Sequence, residues 1–291
     1  MKPALLLVPS QPARSFTVQQ FALPYFITQW HYHYEIELSL VCEGTGTRLV
    51  GDSIENFAPG DLILMGANLP HMWRSDAAYR QNLEGLLSRS IVIHFREDFW
   101  GDTFLSLAEM KSIRDLLERA RRGLRIVGRT QQLVSQKMNE FVGETGIRQL
   151  ISLLDILTLI EDSREVTALS SIGFSSSYTQ NDAQRMTRIY DYVLNQFRNE
   201  ITLEAIAAVV HISPKSFCRY FKSKTRKTFT QFVSEVRVGQ ACKLLIDDKL
   251  SIGQICYESG FMNLSNFNRQ FKASTSFTPA QYRRKYTVGS L

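Results

Sequence analysis

Long apolar runs are missing from this 291-residue sequence. Stretches such as Ala4–Pro9 fall far short of the roughly 20 residues that span a bilayer, and that one is stopped by Pro9 too early for a secretory segment. Paired cysteines are missing as well. Cys42, Cys218, Cys242 and Cys256 lie far apart with no CxxC pair, which excludes a disulfide framework and a structural zinc site built on cysteine pairs. No Ser-His-Asp arrangement has supporting context, no glycine loop is built to cradle phosphate, and no acidic metal motif repeats. The expectation is a cytoplasmic, reduced protein with no membrane attachment. What is present is ordinary for folded chains: 44% apolar and 21% charged residues, values that argue against disorder. The length suits two domains better than one.

Charge is unevenly placed. From Asp182 to Leu291 the chain carries 17 Lys and Arg against 8 Asp and Glu, a net of +9, while residues 1–181 sum to −3. One half is suited to meet a polyanion and the other is not.

Composition divides the chain further. From about Phe16 to Phe95, alternating apolar runs and turns such as Gly44-Thr45-Gly46 and Pro59-Gly60-Asp61 predict short strands. From about Phe104 to Glu161 the period lengthens, predicting a helix with Leu116, Leu117 and Ala120 and another over Gly146–Glu161. A serine-rich stretch follows. The expected domains are 1–162 for sensing and dimerisation, a linker over 163–181, and an all-helical 182–291.

The Gly146–Glu161 helix has a narrow polar stripe of Arg148, Ser152 and Asp155 between two apolar seams. Leu153, Ile156 and Ile160 form one; Ile147, Leu150, Leu154 and Leu157 form the other. Two seams need two partners. Either the helix is buried inside its own domain, or the second seam meets another subunit and the protein is a homodimer.

The basic segment echoes itself at a spacing of 50 residues. Phe217, Arg219, Phe221, Lys222, Thr225 and Thr228 recur as Phe267, Arg269, Phe271, Lys272, Thr275 and Thr278. Two copies of one supersecondary unit are expected. Each reads as helix–turn–helix. Thr202 caps the first helix, His211 takes the tight turn, and Ser213 with Pro214 opens the next. The second copy runs over Ser251–Ser259, turns at Gly260 and restarts after Asn263. At roughly 100° per residue, Phe217 and Phe221 face the core while Lys215, Ser216 and Arg219 face away, with Lys222 at the edge. Ser265, Asn266, Arg269 and Lys272 hold the matching angles in the second copy. Arginine suits guanine, asparagine suits adenine, and lysines at a helix flank suit phosphates, so double-stranded DNA is the expected polyanion. A helix over Val233–Ile246, about 20 Å long, would hold the two reading helices near the roughly 34 Å that separates successive turns of B-DNA.

These residues resemble the arabinose-regulator (AraC/XylS-type) family of transcription factors. The second copy carries the pattern: Gly260-Phe261, Ser265, Phe267, Arg269, Phe271-Lys272, Thr278-Pro279 and Tyr282-Arg283. The resemblance implies a seven-helix, homeodomain-like double helix–turn–helix module acting at promoters as activator or repressor, with RNA polymerase among its partners. It also places Cys218 and Leu264 at base-reading positions. Leu264 either touches a thymine methyl or joins the core. Where the family often has glycine after each reading helix, this chain has Arg226 and Ser276.

In the N-terminal half, His31, His33, Glu35 and Glu37 alternate with Tyr32, Tyr34, Ile36 and Leu38, which puts the first set on one face of a strand. The spacing of His31, His33, Glu37 and Gly44, followed by Gly60 and His71, resembles the two motifs of cupins, although Gly66, Asn68 and Ser75 replace the second motif's Pro, Gly and Asn. The resemblance implies a cupin-like β-barrel whose pocket takes a small-molecule effector, a sugar or another small polar molecule; Trp73 and Tyr34 either stack on a sugar face or simply pack. His31, His33, Glu37 and His71 are also of metal-ligand type. A metal-dependent cupin enzyme fused to a DNA-binding module is therefore the alternative to a regulator with no cofactor and no catalytic residue.

Overall fold

Strict alternation of residues facing opposite ways makes the first hundred residues strands rather than helices. The computed structural model describes residues 4–6, 8, 15–26, 29–81, 85–101, 103–172, 174 and 180–287. It falls into two compact units, Met1–Gln184 and Arg185–Leu291.

The N-terminal unit begins with β1 (Ala4–Leu5), β2 (Phe16–Leu23), β3 (His31–Tyr32), β4 (Ile36–Glu43), β5 (Gly46–Val50), β6 (Ser53–Phe57), β7 (Leu62–Met65) and β8 (His71–Ser75). A short helix α1 (Ala77–Arg80) precedes β9 (Ser88–Phe95). Then come α2 (Lys111–Ala120), β10 (Leu124–Ile126), α3 (Gly128–Phe141), α4 (Ile147–Glu161) and β11 (Val166–Ala168). Two sheets result, ordered β1-β3-β8-β5-β6 and β11-β10-β7-β4-β9-β2. Every pairing is antiparallel except β1 with β3.

The strand period of two gives the larger sheet two different faces. On β4, Ile36, Leu38 and Leu40 join Ile91, Ile93 and Phe95 of β9 in one core with Leu117, Met138, Phe141, Leu153 and Ile156 of the helices. Each such fully buried side chain contributes roughly 1.5–3 kcal/mol. The intervening residues, Glu37, Ser39 and Val41 on β4 and Ser90, Val92 and His94 on β9, line a cavity. The helices thus cover one face of the sheet and leave the other to a site.

The structure differs from the expected linker. Val166–Ala168 pairs with β10, Leu124 opposite Ala168 and Ile126 opposite Val166. The Arg122 guanidinium donates to the Ser170 carbonyl at 2.7 and 2.9 Å, and the Ser171 N–H donates to the Asp52 carboxylate at 2.9 Å. Residues 163–171 therefore belong to the barrel. Three-residue strands carry too little pattern to be read in a sequence, so β10 and β11 are both additions, as is α3. Residues 173 and 175–179 of the expected linker lie outside the described residues. Asn68, where the cupin motif has glycine, has φ 61, a left-handed conformation that asparagine tolerates.

The C-terminal unit has seven helices among the described residues: α5 (Gln180–Gln196, which crosses the boundary), α6 (Leu203–Val209), α7 (Pro214–Thr225), α8 (Phe229–Asp247), α9 (Ile252–Glu258), α10 (Leu264–Thr275) and α11 (Pro279–Thr287). The expected caps form. Thr202 accepts from the Ala205 N–H at 3.1 Å, Ser213 from Ser216 at 3.3 Å, and Asn263 from Asn266 at 2.8 Å. His211 takes φ 54 and Gly260 φ 85 at the two turns. The helix expected over Val233–Ile246 starts earlier, because Thr228 and Gln231 close a reciprocal cap ahead of it. At 19 residues, α8 is about 28 Å long.

The repeat extends to hydrogen bonds and rings. The Thr225 hydroxyl lies 2.8 Å from the Phe221 carbonyl and 3.2 Å from that of Lys227; Thr275 lies 2.8 Å from Phe271 and 3.1 Å from Phe277. Phe221 meets Phe232 with ring centroids 5.4 Å apart, and Phe271 meets Tyr282 at 5.5 Å. No helix among the described residues is long and apolar enough to cross a membrane.

Candidate DNA interface and barrel cavity

Burying Phe217, Phe221, Phe267 and Phe271 fixes how α7 and α10 turn, and so which residues face outward. On α7, Lys215, Cys218, Arg219 and Lys222 are exposed and Ser216 is half-buried. On α10, Leu264, Ser265, Arg269 and Lys272 are exposed and Asn266 is half-buried. Leu264 is 43% exposed, so it does not join the core. Arg269 donates to the Asn266 side-chain oxygen at 3.0 Å, which ties these two groups together. Arg226 and Ser276 end the two helices with φ 60 and 64, the left-handed turn for which glycine is cheapest. The motif therefore survives their replacement of glycine.

The barrel site differs from a single inward-facing row. β3 ends at Tyr32 and β4 begins at Ile36, so the chain passes from one sheet to the other through His33–Glu35. Glu35 is half-buried, its carboxylate 3.8 Å from His33 Nδ1, and it does not line the cavity; the break in the strand turns it away from the face it was expected to share. Tyr34 is 48% exposed and also lies off the cavity. His31, His33, Glu37 and His71 do converge, all buried. His94 joins them from β9, directly opposite Glu37, as His31 stands opposite His71. The sequence reading missed His94, although Ser90, Val92 and His94 share one face of a strand and that alternation was there to be used.

Backbone carbonyls orient three of the rings. Nδ1 of His31, His33 and His71 donates to the carbonyls of Gln29, Glu35 and Leu69 at 2.8, 3.0 and 2.8 Å. Glu37 Oε2 lies 2.9 Å from His33 Nε2, 3.0 Å from His94 Nε2 and 3.5 Å from His71 Nε2. Both nitrogens of His33 have hydrogen-bond partners; burial opposes its charge, but the bond to Glu37 and that carboxylate raise its pKa. Burial also opposes ionisation of Glu37, yet His71, His33 and His94 hold it well below the usual carboxylate range. Burial, then His71, lowers His31 to about 3. His71 Nε2 and His94 Nδ1 are buried and make no hydrogen bond. The cavity beside this group is about 170 Å³, with Trp73, Phe21, Phe26 and Val41 among its apolar lining.

Ligand atoms of His31, His33 and His71, and separately of His33, Glu37 and His94, lie within 4.8 Å of one another. A cation held by either set would need the His33 Nε2 lone pair, the atom already bonded to Glu37.

On α4, the seam expected to meet a second copy is partly corrected. Leu157 is fully buried in the unit's own core beside Leu153, Ile156 and Ile160, because its angle on the helix falls towards the sheet. Ile147 and Ile151 are 68% and 59% exposed, and Leu150 and Leu154 are half-buried. Ile151, not Leu157, completes the outward stripe at helical spacing.

A helix-turn-helix domain family matches residues 206–285. Over 264 residues the chain is 24% identical to the HTH-type transcriptional regulator YdeC of Bacillus subtilis (strain 168), covering 87% of this chain and 85% of that one. Over 263 residues it is 26% identical to the HTH-type transcriptional activator RhaS of Mannheimia succiniciproducens, covering 87% and 88%. A regulator in the cgkA 5' region of Pseudoalteromonas carrageenovora is 35% identical over 96 residues, 33% of this chain and 57% of that one. The chain thus carries a duplicated helix–turn–helix unit matched by a helix-turn-helix domain family, and along most of its length it is similar to HTH-type transcriptional regulators.

Proposed function

We propose that the protein is a ligand-responsive regulator whose α7 and α10 enter two successive major grooves of promoter DNA. The repeat carries this reading: two buried phenylalanine pairs turn two arginine-bearing faces outward at equivalent positions. α8 is a rigid spacer of about 28 Å, comparable with the roughly 34 Å between successive turns. Arg219 and Arg269 read bases, with Ser216, Cys218, Leu264, Ser265 and Asn266 beside them; Lys215, Lys222 and Lys272 neutralise phosphates.

In this reading the barrel cavity, floored by His31, Glu37, His71 and His94 and walled by Trp73, takes the effector. Two copies associate through Ile147, Leu150, Ile151 and Leu154 of α4, and the protein works in the cytoplasm, with RNA polymerase as a further partner. The effector acts only through its different affinities for two arrangements of the protein. We assign no resident metal and no catalysis, in keeping with relatives along most of the chain that are transcriptional regulators. Stoichiometric metal in the purified protein would contradict that assignment.

Selection of genomic fragments by the purified chain, followed by titration against salt, tests the DNA reading. Binding to the selected fragments falls linearly on a log–log plot as salt rises. A flat plot would remove the phosphate role of Lys222 and Lys272.

A further inference from the structure

Strand register grades the cavity wall from polar to apolar. Across β2, β4 and β9, Glu37 and His94 form one row, Gln19, Ser39 and Val92 the next, and Phe21, Val41 and Ser90 the third. Leu23 and Phe26 extend the far end. Beyond the middle row Ser90 is the one polar residue among Phe21, Leu23, Phe26 and Val41. From the other sheet come His31, His71 and Trp73, the Trp73 ring centroid 5.6 Å from that of His71. Phe26, Val41 and Trp73 belong to one buried apolar cluster. Successive rows are about 7 Å apart, so a small molecule can set only one of its ends in a polar row.

Size narrows the occupant. The cavity is about 170 Å³, and one of about 150 Å³ lined by Leu, Ile and Phe takes benzene. The space suits one six-membered ring with a short substituent. An apolar ring is stabilised by burial against Phe21, Phe26 and Val41. An aromatic ring adds edge-to-face contacts with Phe21, Phe26 and Trp73 that a saturated ring lacks. A sugar, the class the cupin resemblance suggests, carries hydroxyls around its whole ring. Several of them would press on Phe21, Leu23 and Val41, where nothing pairs with them.

The ionisable groups of the first row are turned on one another. Glu37 Oε2 already lies 2.9, 3.0 and 3.5 Å from the Nε2 atoms of His33, His94 and His71. Gln19 and Ser39, one row further in, are left to receive the head of a ligand. Ser39 is buried and Gln19 half-buried, and both side chains can donate and accept. A hydroxyl is matched by such groups in either sense, whereas a charged head in that row would give up its water for neutral partners. Taking the cavity as the effector site, we infer that the effector is a one-ring aromatic molecule with a single uncharged hydroxyl. The ring lies towards Phe21 and Phe26 and the hydroxyl towards Ser39 and Gln19.

Calorimetric titration of the full chain at neutral pH with benzyl alcohol, cyclohexylmethanol, benzylamine, benzoate and glucose tests this. Benzyl alcohol is expected to bind about threefold more tightly than cyclohexylmethanol. It is expected to bind about tenfold or more tightly than the two charged analogues and glucose. Ser39→Ala is expected to weaken it by about fivefold, and Val92→Trp, which fills the cavity, to abolish it. The five-ligand series on the unaltered chain decides the question even where a variant does not fold. Benzylamine, benzoate or glucose binding as tightly as benzyl alcohol, and lost in Val92→Trp, would overturn the class while keeping the cavity as the effector site. Cyclohexylmethanol binding as tightly would overturn the aromatic ring. Benzyl alcohol binding that survives Val92→Trp, or is unchanged in Ser39→Ala, would overturn its placement. No binding by any of the five would remove the inference together with its premise.

Discussion

Glu37 and His94 stand directly opposite each other on β4 and β9, carboxylate to imidazole at 3.0 Å. The pair is a product of register: a slip of one residue in either strand would send one of them into the core on the helix side. Because both side chains are buried, losing His94 removes one of the imidazoles that hold the Glu37 carboxylate. His94→Leu is expected to destabilise the N-terminal unit by about 1–3 kcal/mol. Denaturant unfolding of the full chain checks this, and an unchanged midpoint would show that the pair contributes nothing.

The cluster also makes stability depend on pH. His31 has a folded-state pKa of about 3 against an ordinary 6.5, through burial first and then the neighbouring His71. Below 6.5 the unfolded chain takes up a proton that the folded chain refuses, so acidification between those two values favours unfolding. His33, raised, works in the opposite sense: its contribution is full below 6.5 and is lost as pH rises through its folded value. His31→Gln is expected to flatten the loss of stability on the acid side, measured by thermal melts across that range. An unaltered acid limb would mean that His31 is protonated in the folded protein.

Two helix ends hold residues in a conformation that costs them energy. Arg226 and Ser276 have φ 60 and 64. Arg226→Gly and Ser276→Gly are each expected to stabilise the C-terminal unit by up to about 1 kcal/mol. Thermal denaturation reads this directly, and a loss of stability would show that the side chains make contacts worth more than the strain.

Opposite sides of α4 are expected to respond differently to charge. Ile151 is 59% exposed, whereas Leu157 is fully buried. Ile151→Asp is expected to give a folded monomer by sedimentation, and Leu157→Asp to unfold the unit. A dimer that persists in Ile151→Asp would place the contact between copies elsewhere.

Much of this was legible because helical period, caps and repeat spacing are local signals. The faces of α7 and α10 follow from Phe217 and Phe221, and from their counterparts fifty residues on, since a helix with two buried aromatics has one way to turn. The barrel was less legible because its site is assembled across strands. Glu35 satisfies the alternation rule but lies beyond the break between β3 and β4, and His94 reaches Glu37 only through pairing of β4 with β9. On α4, Leu157 and Ile151 exchange places because the angle of the helix on the sheet is set by packing against Leu117, Met138 and Phe141, which lie on other elements.

The central claim is that the arginine faces of α7 and α10 read sequence and do not merely hold phosphates. The ratio of affinities for a selected operator and a random duplex, at one fixed salt concentration, measures this for the unaltered chain and for Arg219→Ala and Arg269→Ala. The predicted result is that each substitution lowers the ratio by roughly 1–3 kcal/mol while binding to random DNA changes little. Equal losses on both duplexes would contradict it.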